Sequence, residues 1–217
     1  VLAGVIATGA ITADDGSPAG RLVLTAADNT VTATIEDFRT TATGQLDLQL
    51  TPQPVGAKCP ADSWSFVMNQ VDDEPHTWSL PIHVAGGPFE VDPRYLRSAV
   101  LRVDADGGQP GADGCAEAVL AVAPLTWNTA STHVGLVVTD HGARPHATGI
   151  VGREGAGTLS TYTVAPNDTV EAILARFHLT ADDFNYLNPW DVGVEDSALR
   201  YGTVFNLLPA NRGAPPN

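Results

Sequence analysis

Between Thr161 and Pro209 the hydrophobic period of the sequence changes twice, and this pattern constrains the fold more tightly than anything else in the chain. Tyr162 and Val164 alternate with Thr161 and Thr163, the two-residue period of a half-buried strand, and Pro166-Asn167-Asp168 then turns the chain. Val170, Ile173, Leu174 and Phe177 follow at i, i+3, i+4 and i+7, so one face of a helix is apolar; Asp168 with Glu171 has the spacing of a capping box. Thr180 with Asp183 repeats that signature, Phe184 and Leu187 give a second short stripe, and Asn188-Pro189 stops it. Leu199, Gly202, Val204, Phe205, Leu207 and Leu208, ahead of Pro209, read as a turn and a closing strand that pairs with the first. The expectation is a small α+β unit, βααβ.

Several anchors of this stretch resemble a LysM module: the opening Tyr162-Thr163-Val164, the Asp168-Thr169-Val170 turn, the Leu187-Asn188-Pro189 end of the second helix, and the close from Gly202 to Pro209. The family usually places glycine where this chain has Asn167, and asparagine tolerates the left-handed backbone better than other non-glycine residues. LysM modules bind N-acetylglucosamine polymers. The resemblance therefore implies a shallow glycan groove with Pro166, Asn167, Asp168, Thr169 and Val170 on one side and Leu187, Asn188, Pro189, Trp190 and Asp191 on the other. Main-chain groups of these loops would bind the N-acetyl amide. The indole of Trp190 would stack on a sugar face or cover the core. Val170, Ile173, Leu174, Phe177 and Leu187 read as core, and Asp168 and Thr169 serve as caps as readily as ligand contacts. A solvent-facing groove of this kind binds weakly, so retention on a wall relies on a polymeric ligand.

Ahead of this region, residues 1–128 show short alternating or β-branched runs at Arg21 to Thr25, Thr30 to Ile35, Gln45 to Leu50, Trp64 to Val67, Trp78 to Val84, Ala99 to Val103 and Ala118 to Val122. Gly, Pro, Asp and Asn punctuate them, which argues a mainly β antiparallel domain, sandwich-like or barrel-like. Asp92 to Leu96 reads as one helical turn, and Asp104 to Gly114 as an exposed loop. Residues 129–160 read as a connecting hairpin, with Val134 to Thr139 and Thr148 to Val151 as its strands, and residues 210–217 as a flexible tail.

The 217 residues carry 11 Lys and Arg against 25 Asp and Glu, a formal net charge of −14. No basic cluster is available to bind a nucleic-acid backbone or an anionic membrane. Apolar runs are too short for membrane insertion, and no amino-terminal signal is present, so the chain is expected to be cytosolic or a mature secreted form. Lys58 is the only lysine, and arginine, alanine and glycine dominate as in high-GC bacterial genomes, those of actinobacteria included.

One enzyme-like pattern occurs. Ser131, His133 and Asp140, followed by His141 and His146, overlap part of the zinc-ligand motif of cell-wall carboxypeptidases, but Leu136 and Val138 replace its Gly and Ala, and no downstream His pair supplies a third ligand. Asp14-Asp15, Asp72-Asp73-Glu74 and Asp182-Asp183 are adjacent rather than paired across a cleft. The sequence thus points to a non-catalytic, cell-wall-associated binding protein, extracellular, whose partner is peptidoglycan or another N-acetylglucosamine polymer. It implies no cofactor and no metal, and it leaves open a protein partner for the amino-terminal domain. The alternatives are a cell-wall hydrolase or peptidase, or an adhesion or assembly protein using the module as a protein contact.

Cys59 and Cys115 are well separated and sit in no metal-type doublet, so one disulfide is expected in an exported chain, with two unrelated buried thiols as the alternative. Intact mass measured without reductant should fall two hydrogens short of the reduced chain; an unchanged mass refutes the bridge.

Overall fold

The structure, a computed structural model, describes residues 2–42, 44–56, 63–71, 76–104, 118–190 and 199–213. The chain divides into two compact units at Ala130/Ser131.

In the first unit the strands are β1 (Gly4–Ala13), β2 (Pro18–Ala27), β3 (Thr30–Phe38), β4 (Gly44–Thr51), β5 (Trp64–Val71), β6 (His76–His83), β7 (Ser98–Asp104), β8 (Ala118–Pro124) and the short β9 (Thr126–Trp127). They form one antiparallel sheet of order β5-β4-β7-β8-β1-β2-β3-β6, with β9 paired to β1. The end strands β5 and β6 follow one another in sequence and lie side by side, so the sheet curls into a nearly closed barrel. The sandwich reading is thereby corrected. Its cause is β1, whose alanine- and glycine-rich sequence shows little alternation yet joins two groups of strands into a single sheet. A bulge between Val5 and Ala7 bends it, as closure requires.

Alternation fills the interior. Val31, Ala33 and Ile35 of β3 are fully buried while the intervening threonines are half exposed, and Leu46, Leu48 and Leu50 of β4 point the same way inward. Asp28 and Asn29, with φ of 46° and 62°, make the two-residue turn between β2 and β3, a conformation these residue types tolerate.

The second unit contains β10 (Ile150–Glu154), β11 (Thr158–Thr163), α1 (Val170–Phe177), α2 (Ala181–Leu187) and β12 (Val204–Asn206). Its sheet has three antiparallel strands in the order β10-β11-β12. The expected self-contained βααβ LysM-like module is corrected: the protein is mainly strand with two α-helices among its described residues. β11 is the middle strand, not an edge, because a strand from outside the expected module pairs with it. The connecting hairpin is corrected with it. Val134 to Thr139 forms no strand, Val134 and Val137 facing solvent while Val138 packs on the core; the hairpin is β10–β11, turning at residues 155–157.

The core beneath the helices is aromatic. Tyr162 meets Phe177 edge to face at 5.4 Å and Phe184 meets Phe205 at 4.8 Å, with Ile173, Val164, Leu159, Leu207 and Ala147 around them. Thr169 and Thr180 cap the two helices, the latter with Asp183 in a reciprocal capping box. Residues 210–213 are not a free tail: Pro209–Asn211 form a 3-10 turn, and the Arg212 guanidinium lies 3.8 Å above the Tyr186 ring and donates to the Tyr186 carbonyl. Cys59, Cys115, Asp191, Asp72-Asp73-Glu74 and nearly all of the Asp104 to Gly114 loop lie outside the described residues. No helix among the described residues is long and apolar enough to cross a membrane.

Ser131 to Gly149 runs as an irregular strap over the helical side of this unit. Arg176, buried on α1, holds it: Nε and Nη2 donate to the two Asp140 oxygens at 2.8 and 3.0 Å, and Nη1 donates to the carbonyls of Ala147 and Gly149 at 3.0 and 3.1 Å. The guanidinium beside it holds the Asp140 carboxyl below its ordinary pKa. That stability is complete above the unfolded carboxyl pKa of about 4 and is lost as pH falls through the lower folded value. Arg176→Ala should cost about 3 kcal/mol in urea unfolding, because a half-buried carboxylate and two carbonyls lose the donor that a buried guanidinium supplies. Asp140→Asn should flatten the acid limb of the stability curve, and unchanged curves in both variants would refute the clamp.

Candidate functional site

The expected groove starts at the turn after β11, and a single carboxylate builds that turn. Asp168 Oδ1 accepts from the Thr148 amide at 2.8 Å and the Thr148 hydroxyl at 3.3 Å; Oδ2 accepts from the Tyr162 hydroxyl at 2.6 Å and the Ala165 amide at 2.8 Å. Burial pushes its pKa up, but the hydrogen bonds from Tyr162, Ala165 and Thr148 outweigh this and the net shift is downward. Burial, aided by donation to Asp168, pushes the Tyr162 phenol up to about 12. Tyr162 in turn accepts from the Gly149 amide at 2.8 Å. Only glycine fits there: a Cβ on Gly149 would lie 2.2 Å from the Thr163 carbonyl oxygen and 2.6 Å from the Tyr162 ring.

Asp168 is therefore committed to the scaffold, and the capping box read between it and Glu171 is corrected, since the Thr169 hydroxyl caps α1 by accepting from the Ala172 amide. Thr169 also donates its amide to the His146 carbonyl, and the His146 ring meets the Asn167 carbonyl at 3.0 Å. Asn167 adopts the left-handed backbone, φ 66°, and its side chain, like Pro166, faces solvent. Val170 is half buried at the first turn of α1.

The second set of predicted residues is occupied differently. Leu187 is fully buried. The Asn188 amide donates to the carbonyls of Phe184 and Asn206 and its oxygen accepts from the Asn206 amide at 2.7 Å; the Asn206 side chain answers by donating to the carbonyls of Leu187 and Leu208. This latch explains both buried asparagines: it ties the end of α2 to β12 with every polar atom used. Pro189 is buried, and half-buried Trp190 donates its indole N–H to the Gly213 carbonyl at 3.2 Å.

Register shows what stands beside what. Thr163 pairs with Val204 and Thr161 with Asn206, so the first loop leans on the start of β12 and the Asn188 latch on its end. The neighbour of the first loop is the turn at Arg200 to Thr203: the Val164 amide donates to the Thr203 carbonyl and the Gly202 amide to the Val164 carbonyl. That turn carries Tyr201, 77% exposed, and across the sheet Ile150, 74% exposed, stands opposite Thr163 on β10. Sequence reasoning passed over both; the signal for Tyr201 was an aromatic directly before a turn glycine, while Ile150 needed the strand register.

The zinc-like pattern is dispersed. Asp140 is bound by Arg176, whereas His133 stacks on Tyr186 of α2 at 4.1 Å, meets the Thr132 hydroxyl at 2.7 Å and stands 3.7 Å from Asp183. No group of three or more His, Cys, Asp or Glu side chains placed to hold a metal ion occurs among the described residues.

The chain matches no protein-family model, no curated protein and no solved structure. Its residues alone carry the functional argument. Asp168→Ala strands the Thr148 and Ala165 amides and the Tyr162 hydroxyl, and should lower stability by about 3 kcal/mol by chemical denaturation, an effect that a mere ligand contact would not produce.

Proposed function

We propose that this chain is a non-catalytic, exported protein of the bacterial envelope that holds peptidoglycan or another N-acetylglucosamine polymer at the open end of β11. The observation that carries this reading is the grouping of exposed Tyr201, Ile150, Pro166 and Asn167 around one strand end whose backbone is fixed by the Asp168 network. An exposed phenol ring offers a stacking face for a pyranose, Ile150 an aliphatic surface for an N-acetyl methyl, and the Asn167 amide both a donor and an acceptor for the acetamido group. The second wall of the site is the Arg200 to Thr203 turn in place of Leu187 to Asp191, whose described members serve the latch and the core.

A catalytic reading has less support, because the carboxylate and imidazole of the enzyme-like pattern are spent on separate structural contacts. Few polar groups on an open surface give a weak single-site affinity, in the range of about millimolar to micromolar, and the polymer supplies avidity.

Titration with a soluble chitooligosaccharide should shift the amide resonances of Ile150, Asn167 and Tyr201, and Tyr201→Ala should weaken binding about three- to tenfold. Pull-down on insoluble peptidoglycan should retain the wild-type chain and release it to competing oligomer. Unmoved resonances together with no retention would sink the proposal, and cell-wall clearing abolished by His133→Ala would replace it with a hydrolase.

A further inference from the structure

The four histidines of the second unit lie at the seam between strap and helices, and two of them face each other. His141, on the strap, and His178, just past α1, stack with ring centroids 3.6 Å apart and planes 17° from parallel. Both side chains are exposed. Both backbones are fixed: the His141 amide donates to the Arg176 carbonyl, and His178, in the left-handed conformation at φ 53°, closes α1 by donating to the Leu174 carbonyl. The carboxylate beside them, Asp140, is taken by Arg176 and by the Gly142 amide, so it neither bridges the rings nor orients them.

We infer that His141 and His178 together form a bidentate site for a late first-row transition ion, Cu2+ foremost. The ring centroids are 3.6 Å apart, and two metal–nitrogen bonds of about 2.1 Å span up to roughly 4.2 Å, so rings that turn out of the stack bring one nitrogen each within reach of a single ion. Each neutral imidazole keeps one lone pair available, and rotation about the loosely held terminal torsion of an exposed ring turns the two toward a common point. Imidazole donors favour copper, nickel and zinc, with copper highest in the divalent series. Water completes the coordination. The ion would thus join the strap to the end of α1 beside the Arg176 clamp. The inference does not depend on the glycan reading, whose residues lie at the other end of α1.

The test uses the full chain and Cu2+ alone in a non-coordinating buffer near neutral pH. Isothermal titration should show one principal site, paramagnetic broadening should centre on the His141 and His178 ring signals, and Cu2+ should raise the thermal midpoint. His178→Asn keeps a residue that accepts the left-handed backbone, and His141→Gln keeps the strap backbone. Each should weaken Cu2+ binding about tenfold or more and abolish the thermal shift, while circular dichroism of the metal-free chain stays unchanged. Affinity within twofold of wild type in either variant, or broadening centred on His133 or His146, overturns the assignment.

Discussion

One guanidinium organises the second unit. Arg176 is an arginine in the last turn of an eight-residue helix, where a positive charge suits the helix dipole, and its surroundings make it more than a surface cation. It lies 5.3 Å from the ring centres of Tyr162 and Phe177, fills Asp140 with a two-pronged contact, and satisfies two strap carbonyls. A segment such as Ser131 to Gly149, without strand pairing of its own beyond a single bridge between Arg144 and Ala147, has few ways to satisfy its backbone carbonyls. The rigid five-donor fork of arginine does so at two positions while neutralising a third group. Lysine, with a point charge, would leave that arrangement incomplete.

The strap in turn makes the turn after β11 rigid. Thr148 and Gly149, which follow the Ala147 anchor, supply donors to Asp168 and Tyr162, and His146 braces Asn167 from outside. The chain therefore reaches Pro166 and Asn167 with its polar groups already matched around it. A loop that recognises an uncharged polymer through a handful of contacts gains from this, because ordering the loop on binding would consume much of so small an interaction energy. The same logic explains why Asp168 is unsuited to be a ligand group: four donors already saturate it, and exchanging any of them for a sugar hydroxyl would unpick the turn.

Local periodicity was legible in the sequence to the extent that it was local. Six of the seven β runs of the first unit fall within a strand and the run from Trp78 overruns β6 by one residue, Val84, while Ile173, Phe177, Phe184 and Leu187 are buried as their spacing requires. What failed was non-local. β1 lacks alternation because alanine and glycine supply little contrast, yet it connects the halves of the barrel and converts two sets of strands into one sheet. β10 reads as the return of an upstream hairpin until its partner is known to be β11; a pairing choice between two neighbouring runs is settled by the core, not by propensity. Of the candidate site, the exposed Pro166–Asn167 turn and its left-handed asparagine were readable, whereas the roles of Asn188 and Arg176 depend on partners 18 and 36 residues away.

The buried asparagine pair shows why the second loop could not serve as the facing wall. Asn188 and Asn206 exchange hydrogen bonds with each other and with the carbonyls of Phe184, Leu187 and Leu208, so the amide that a glycan would need is consumed in closing the end of α2 onto β12. Removing either partner to free the other would strand several buried polar atoms at once, a cost larger than any single sugar contact would return. In the proposed glycan reading the contact falls instead to the turn that precedes β12, where Tyr201 can be exposed because Gly202 and Thr203, not the tyrosine, make the hydrogen bonds that hold the turn to Val164. Scaffold and contact are thereby divided between adjacent residues, which lets the aromatic ring vary without disturbing the fold beneath it.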